Sequence, residues 1–294
     1  MQIEPNKVAT RNLHQYLLSI VGPRPIALAS TIDSNGIKNV SPFSFFNLFS
    51  ANPPIAIFSP ARRVKNNTEK DTLKNIQEIK EVVINIVNYN LVEKASLSST
   101  EYPKEVDEFL KAGLTPIKSK IVRPFRVKES PVQMECKVNQ IVELGKNGGA
   151  GNLIICEILL IHISENILNS NNQIDQNKIQ LVGRMGSNWY CKGFDEALFE
   201  IQKPTKDLSI GFDKIPNSIK NSDIFDENDL IKLASISKLP EEKDVALFKD
   251  NCQINENENN IREKLHLKAK KKIATNEIEQ AWKYLLIDLL NKHI

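Results

Sequence analysis

Apolar and polar positions over the first two thirds of the chain repeat mainly with a period of two. "PIALASTID" alternates and runs into "DSNG", a glycine-bearing turn that predicts a hairpin onto "IKNVSPF". "PPIAIFS" predicts another strand, entered through Asn52-Pro53-Pro54, where proline fixes the backbone and cannot donate to a ladder. "EVVINIVNY" reads as a strand, and "PVQMECKVNQIVELG" and "NLIICEILLIHISENIL" as two long ones joined at a hairpin tip by "KNGGAG". Helical spacing is confined to short stretches. "KDTLKNIQEI" has Asp71 or Thr72 as N-cap and Leu73, Ile76 and Ile79 on one face. "LVEKASLSS" and "KEVDEFLKA" follow, the latter stopping at Gly113. Six or more strands with few, short helices predict a mainly β barrel or sandwich rather than a doubly wound sheet.

The texture changes after "GFDEALFEIQKP". Residues 204–294 are rich in Lys, Asn, Asp and Glu with short apolar clusters between them, so the chain divides into a β domain, 1–203, and a mainly helical, polar extension, 204–294. "DENDLIKLASIS" predicts a capped helix, and "NEIEQAWKYLLIDLL" places Ile278, Trp282, Leu285 and Leu289 along one helical face.

Composition narrows the function classes. The 294 residues are 41% apolar and 26% charged, those of an ordinary globular protein. The 39 basic and 36 acidic residues are intermixed and leave a formal charge of +3, which gives no ground for a nucleic-acid partner. No run of about 18 apolar residues predicts a spanning helix, and the N-terminus lacks the pattern of a signal peptide. Cys136, Cys156, Cys191 and Cys252 are scattered, as expected of reduced thiols in a cytoplasmic protein, and no close pair of Cys or His predicts a metal site. "GGAG" at 148–151 lies between strands, so it reads as a hairpin turn and not as a phosphate loop, which needs the converging amides of a helix start. "KAKKK" at 268–272, flanked by Glu263 and Glu277, reads as a solvated helix face. Neither a dinucleotide fingerprint nor a serine nucleophile elbow is present.

"SPFSFFNLFSANPPIAIFS", residues 41–59, interleaves Ser and Asn with large apolar groups. Such a mixture suits a pocket for a flat, partly polar ligand. Phe43, Phe45 and Phe46 cannot all face it, because neighbours on a strand point oppositely. Arg62, Arg63 and Lys70 gather before a helix whose first amides are unpaired, with the Thr72 hydroxyl nearby, which makes an anion site on general grounds. Asp71 reads as a cap or a partner of Lys70.

Five ordered segments, "PRPIALAST", "NVSPFSFFN", the "NPP" turn, "KDTLKNI" and "GRMGSNWY", together resemble the flavin reductase-like family over roughly residues 10–200. These are FMN-binding split β-barrel proteins related to flavoredoxin and to the reductase components of two-component flavoprotein oxygenases. The resemblance implies a six-stranded antiparallel Greek-key split barrel with short helices. It also implies a homodimer that holds its flavin near the subunit interface. By the same resemblance Ser30 and Thr31, with Ser44, Phe45, Phe46 and Asn47, contact the ring and ribityl chain. Ser59, Arg62, Lys70 and Thr72 complete the cofactor set, and the FMN phosphate lies in the region of the last three. Arg184 and Tyr190 bound the nicotinamide side, where Met185 and Ser187 replace the Leu and Gly often found in the family. His162 matches a strand position that often holds histidine, and a buried, satisfied imidazole is the competing reading. The implied activity is hydride transfer from NADH or NADPH to FMN without a protein nucleophile, the reduced flavin serving a partner oxygenase. The alternative is a flavoredoxin-like carrier that keeps FMN tightly bound and serves an electron-transfer partner.

Overall fold

The computed structural model describes residues 1–201, 208–252 and 260–290; the expected boundary between 203 and 204 lies outside them. Two compact units result, Met1–Phe199 and Glu200–Ile294. The first opens with helix α1 (Thr10–Ile20), which the period-two pattern does not announce and which buries none of its side chains within the chain. Strands β1 (Ala27–Ile32) and β2 (Lys38–Phe43) form the predicted hairpin. Its turn is closed by Asp33, whose carboxylate accepts from the Asn35 and Ile37 amides at 2.9 Å, and by Gly36 at φ +85°. A second hairpin, β3 (Phe46–Ala51) and β4 (Pro54–Phe58), turns at the NPP segment.

Helix α2 (Asp71–Ile79), strand β5 (Glu81–Ile86) and the short helices α3 (Val92–Leu97) and α4 (Glu108–Lys111) follow. A small ladder of β6 (Pro116–Ile117) and β7 (Arg126–Val127) leads to the long hairpin of β8 (Val132–Glu143) and β9 (Asn152–Ile163), joined by KNGGAG. After α5 (Gln176–Ile179), strands β10 (Val182–Arg184) and β11 (Tyr190–Lys192) end the unit's regular structure.

The main sheet is antiparallel and has seven strands in the order β2-β1-β5-β8-β9-β4-β3, where six were expected. The extra strand is β3. Its side chains are exposed apart from a half-buried Phe46, so alternation of polarity does not mark it, and a bulge between Leu48 and Ser50 breaks its register. The two edges of this sheet, β2 and β3, are adjacent in sequence, with only Ser44 and Phe45 between them. Laid flat, seven strands would hold their edges about 29 Å apart, at about 4.8 Å per spacing. The three steps from Phe43 to Phe46 reach about 11 Å at most. The sheet therefore rolls up, and its seam, not closed by a ladder, runs between β2 and β3. Inside lie Ala27, Ala29, Phe43, Phe58, Met134, Cys136 and Ile154, capped by Leu73 and Ile76 of α2. Ile26, Leu28, Val40 and Val182 on the other face pack beneath Leu91, Ala95 and Phe109.

Residues facing outward from β8 show how this second layer is pinned. Glu135 is fully buried and accepts from the Lys120, Ile121 and Val122 amides at 2.8, 2.6 and 3.2 Å, with His162 Nε2 at 2.6 Å. Burial alone would push its carboxyl up; those four hydrogen bonds outweigh burial and hold it below the usual range.

In the second unit, α6 (Asn217–Lys220), α7 (Glu227–Ala234), α8 (Glu242–Asn251), α9 (Ile261–Ala274) and α10 (Ile278–Leu290) surround a core centred on Trp282, whose Nε1 donates to the Leu233 carbonyl at 2.9 Å. Asp226 and Asp229 form a capping box on α7. Lys270 and Lys272 of the KAKKK run are spent on Asp229 (3.3 Å) and Glu277 (2.8 Å). No helix among the described residues is long and apolar enough to cross a membrane.

Glu135→Ala strands three amides and an imidazole, and its expected cost is about 3 kcal/mol in denaturant unfolding. Because the folded-state pKa of Glu135 is depressed, its stabilisation is present above the unfolded-state value, near 4.5, and is lost as pH falls through the folded one. Urea midpoints measured down the acid limb should therefore fall more steeply for the wild type than for Glu135→Gln.

Candidate functional site

The inner face of β2 carries Asn39, Ser41 and Phe43 in a row beside the first turn of α2. Asn39 is the hub. Its Oδ1 accepts from the hydroxyls of Thr72 at 2.8 Å and Thr31 at 3.3 Å, while Asn75 Nδ2 donates to Thr31 at 3.1 Å. Its Nδ2 donates onward to Glu108 Oε1 at 2.9 Å. Above this floor lies a polar pocket of about 20 Å3 walled by Arg63, Lys70, Asp71, Thr72 and residues 98–102. The walls are rich in hydroxyls, from Ser41, Ser98, Ser99, Thr100 and Tyr102.

The three basic residues before α2 have different fates. Arg62 is consumed by its own loop: Nη1 meets Glu69 at 2.6 Å, Nε meets Asn67 Oδ1 at 2.7 Å and Nη2 the Asn67 carbonyl at 2.8 Å. Arg63 binds Glu101 at 2.8 Å, the Glu69 carbonyl at 2.7 Å and Thr68 at 3.1 Å. Lys70 is the N-cap residue of α2, with no side chain capping the amides that follow it. Its half-buried ammonium lies 5.4 Å from the Phe43 ring centre and, among the described residues, makes no ion pair. Desolvation, and then the nearby Arg63, pull its pKa down, partly offset by Glu101. Asp71, read from sequence as a cap or a Lys70 partner, instead pairs with Lys74 at 3.1 Å.

The GGAG tip takes part without being a phosphate loop. Gly149 N donates to the Arg62 carbonyl at 2.9 Å and Arg62 N to the Ala150 carbonyl at 2.8 Å. A Cβ on Gly148 would come within 3.0 Å of the Val64 carbonyl, so the hairpin buttresses the basic loop by close backbone approach.

The seam between β2 and β3 lies at the end of this row. Ser59 N donates to the Phe45 carbonyl at 2.9 Å, which ties the corner to the end of β4. Phe43 is core, 5.3 Å from Phe58; Phe46 packs against the core; Phe45 is exposed and meets His14 edge-on at 6.2 Å. Asn47 is exposed and turns back onto the Leu48 amide at 2.8 Å. Ser44 Oγ lies 3.4 Å from Nε of Arg24.

Arg24 was given no role by the sequence, yet it joins three segments. Buried and without a carboxylate, it donates to the carbonyls of Leu18 and Val21 at the end of α1, and to Met185 at 2.9 Å. Its backbone bridges Arg184 in both directions, at 3.0 and 2.8 Å. The "GPRP" and "GRMG" segments thus lie back to back. A Cβ on Gly183 would sit 2.4 Å from Pro23 Cβ, and one on Gly186 would sit 3.0 Å from Ser19 Cα. The buttressed loop holds the Arg184 guanidinium 4.5 Å from the Tyr190 ring centre and 2.6 Å from the Ser187 carbonyl.

Of the residues the sequence singled out, Ser44, Phe45, Phe46, Asn47, Ser59, Arg62, Lys70 and Thr72 come to the seam and the adjoining start of α2. Thr31 lies in the floor beneath them. Ser30 points to the opposite face, hydrogen-bonded to the Phe125 carbonyl. His162 is engaged with Glu135, and Arg184 with Tyr190. Asn39, Glu108 and Arg24 were missed, although Asn39 lies inside a quoted motif and Arg24 in "PRP". A wider groove of about 1120 Å3 lies in the second unit, but ion pairs such as Lys238–Glu241 (2.7 Å) and Lys283–Glu279 (3.2 Å) already neutralise its walls.

The flavin reductase like domain model matches residues 22–178, more than half of the chain. The chain belongs to the flavin reductase-like family. An uncharacterized protein of Aquifex aeolicus is 40% identical over 189 residues, 64% of this chain and 94% of that one. Nitrilotriacetate monooxygenase component B from Bacillus cereus superposes with a TM-score of 0.63 at 28% identity, covering 68% of this chain and 98% of that one. The 2-nitrobenzoate 2-nitroreductase NbaA of Pseudomonas fluorescens gives 0.63 at 26%, covering 72% and 100%. Nearly all of each neighbour is thus matched by about two thirds of this flavin reductase-like chain, and the remaining third is extra to them.

A partly desolvated ammonium with no ion pair among the described residues, open helix amides and a wall of hydroxyls converge there, a donor set that could hold an anionic group such as a phosphate. Gly183→Ala tests the buttress that holds the Arg184 loop. Its Cβ meets the Pro23 ring, so the expected loss is about 1–3 kcal/mol in thermal or urea unfolding, whereas Gly36→Ala, with open space around it, costs only its positive φ.

Proposed function

We propose that this protein is an FMN-binding oxidoreductase, an NAD(P)H:flavin reductase. The observation that carries the reading is Lys70, a half-buried ammonium left without a carboxylate partner among the described residues at the uncapped start of α2. Evolution of a stable surface would pair or expose such a group; a phosphate monoester supplies the missing charge. Similarity to a nitroreductase of P. fluorescens and to a monooxygenase component of B. cereus supports redox chemistry, and the latter supports a partner oxygenase as the recipient.

In this reading Lys70 and the first amides of α2 bind the phosphate, and the Asn39 network keeps that turn in place. Backbone groups from Ser44 to Asn47 and the exposed Phe45 flank the ring. When held there, FMN would supply an acceptor for hydride from NADH or NADPH. The Arg184–Tyr190 pair offers a cation and an aromatic face to the nicotinamide. The protein's contribution is orientation and exclusion of water.

The seam also needs a cover. Leu48 and Phe49 on edge strand β3 and Leu17 and Ile20 of α1 are 46–73% exposed. A bare edge with apolar side chains invites strand pairing or burial, and a second copy of the chain is the occupant we propose. Leu48→Glu with Phe49→Glu should convert a dimer to a monomer in light scattering; a wild type that is already monomeric removes the proposal.

For the activity, the expected outcome is an FMN spectrum that bleaches under anaerobic titration with NADH or NADPH. Lys70→Ala should weaken FMN binding by about tenfold or more, as loss of a charge-assisted contact implies, and leave riboflavin binding unchanged. A wild type that binds FMN and riboflavin equally, or whose flavin neither nicotinamide reduces, overturns the reading.

A further inference from the structure

Glu108 has no place in the chemistry above, yet it lines the same pocket. Its side chain is buried, with 8% of the residue exposed, at the first position of α4. The hydrogen bonds of the floor all run toward it: Asn75 to Thr31, Thr31 and Thr72 to Asn39, and Asn39 to Glu108 Oε1. The chain of donors ends there. Oε2, the other carboxyl oxygen, is buried and has no hydrogen-bond partner.

The groups around it define its charge. Asp71 faces it from α2, with Lys70 beside it; Arg63 and Glu101 are paired across the pocket, and Tyr102 closes the wall. On the flank of β2, Lys38 is taken by Asp107 at 2.7 Å. Thus no cation is paired with Glu108, and burial pushes its pKa up, with Asp71 adding to the rise. The amides of Glu108 itself and of Val40 and the Asn39 side chain temper that rise without supplying Oε2 with a hydrogen bond of ordinary geometry. A carboxyl in this position has two resting forms: a buried anion with one bare oxygen, or an acid whose O–H has no acceptor. Each is incomplete, and an anionic ligand oxygen completes the second. The pocket, about 20 Å3 in volume and lined in part by Glu108, admits one oxygen-sized group; Oε2 is closed off from it and must turn out of the wall to meet a ligand.

We propose that Glu108 is the proton-linked member of the phosphate site: it takes a proton from solvent as the phosphate monoester binds and donates it, through Oε2, in a hydrogen bond to a phosphate oxygen. The site then discriminates a phosphorylated flavin from riboflavin by a neutral donor as well as by Lys70. This rests on the flavin reading. Binding is tighter at low pH, because the complex raises the pKa of Glu108 above its value in the free protein. FMN affinity falls as pH rises between those two values, by up to about tenfold per pH unit. The second ionisation of a phosphate monoester, near pH 6, acts in the opposite sense, since a site selective for the dianion releases a proton on binding.

The experiment is calorimetry of the full chain with FMN and with riboflavin, in buffers of different ionisation enthalpy, from about pH 5 to 9. Wild type should take up more protons per FMN than Glu108→Gln, the difference reaching at least about 0.5 proton at its maximum, and riboflavin should bind with no uptake in either protein. Should Glu108→Gln fail to fold, net proton uptake with FMN but not with riboflavin carries the test in Lys70→Arg, whose guanidinium stays charged and so removes the uptake that Lys70, with its lowered pKa, would add. Equal proton counts for FMN in both proteins, or the same uptake with riboflavin, overturn the role of Glu108 while leaving the flavin reading intact. Binding of neither flavin sinks both.

Discussion

Two residues, Ser44 and Phe45, separate the opposite edges of a seven-stranded sheet, and that short tether governs the architecture of the first unit. The sheet must curl until its edges meet, and the backbone at the meeting point cannot continue either ladder. The Phe45 carbonyl accepts from Ser59 N instead, and the Ser44 hydroxyl accepts from Arg24 Nε. The seam is thus a place where main-chain groups, exposed aromatics and strand ends gather without a regular partner, which is what a ligand site requires. Arg24 extends the same constraint outward by tying the end of α1 and the Arg184 loop to the seam.

Next to the seam, the distribution of charge separates structure from function. Arg62, Arg63 and Lys70 look equivalent in sequence. In the folded chain both guanidiniums are saturated by Asn67, Glu69, Thr68 and Glu101, and hold the loop's shape. The ammonium of Lys70 is left over, half desolvated against Phe43. A planar donor fork is well suited to binding several carbonyls at once, whereas a lysine is a point charge that can serve a ligand. The Asn39 network adds the complementary feature, a buried acid with one idle oxygen.

The similar structures cover about two thirds of this chain, and the second unit has a core of its own. Trp282 organises an apolar core, and two of the four lysines in the basic run of α9 pair with acids of the same unit, Lys270 with Asp229 and Lys272 with Glu277.

Strands, turns and the order of family motifs were legible along the chain because each depends on near neighbours: a period of two, a glycine at positive φ in a turn, a proline where no donor is needed. Phe46–Ala51 escaped because an edge strand exposed on both faces has no reason to alternate, and α1 because it buries nothing within its own chain. The candidate site was legible as a neighbourhood, from Ser44 to Asn47 and from Arg62 to Thr72, but not as a set of roles. Ser30 and Thr31 are adjacent, and the pleat sends them to opposite faces. By itself the sequence determined the strands that alternate and the family, and it proposed a region for the site. Which cation stays unpaired, which carboxyl oxygen is stranded and which arginine bolts the seam were decided only by tertiary structure, because each is a sum over partners from segments remote along the chain.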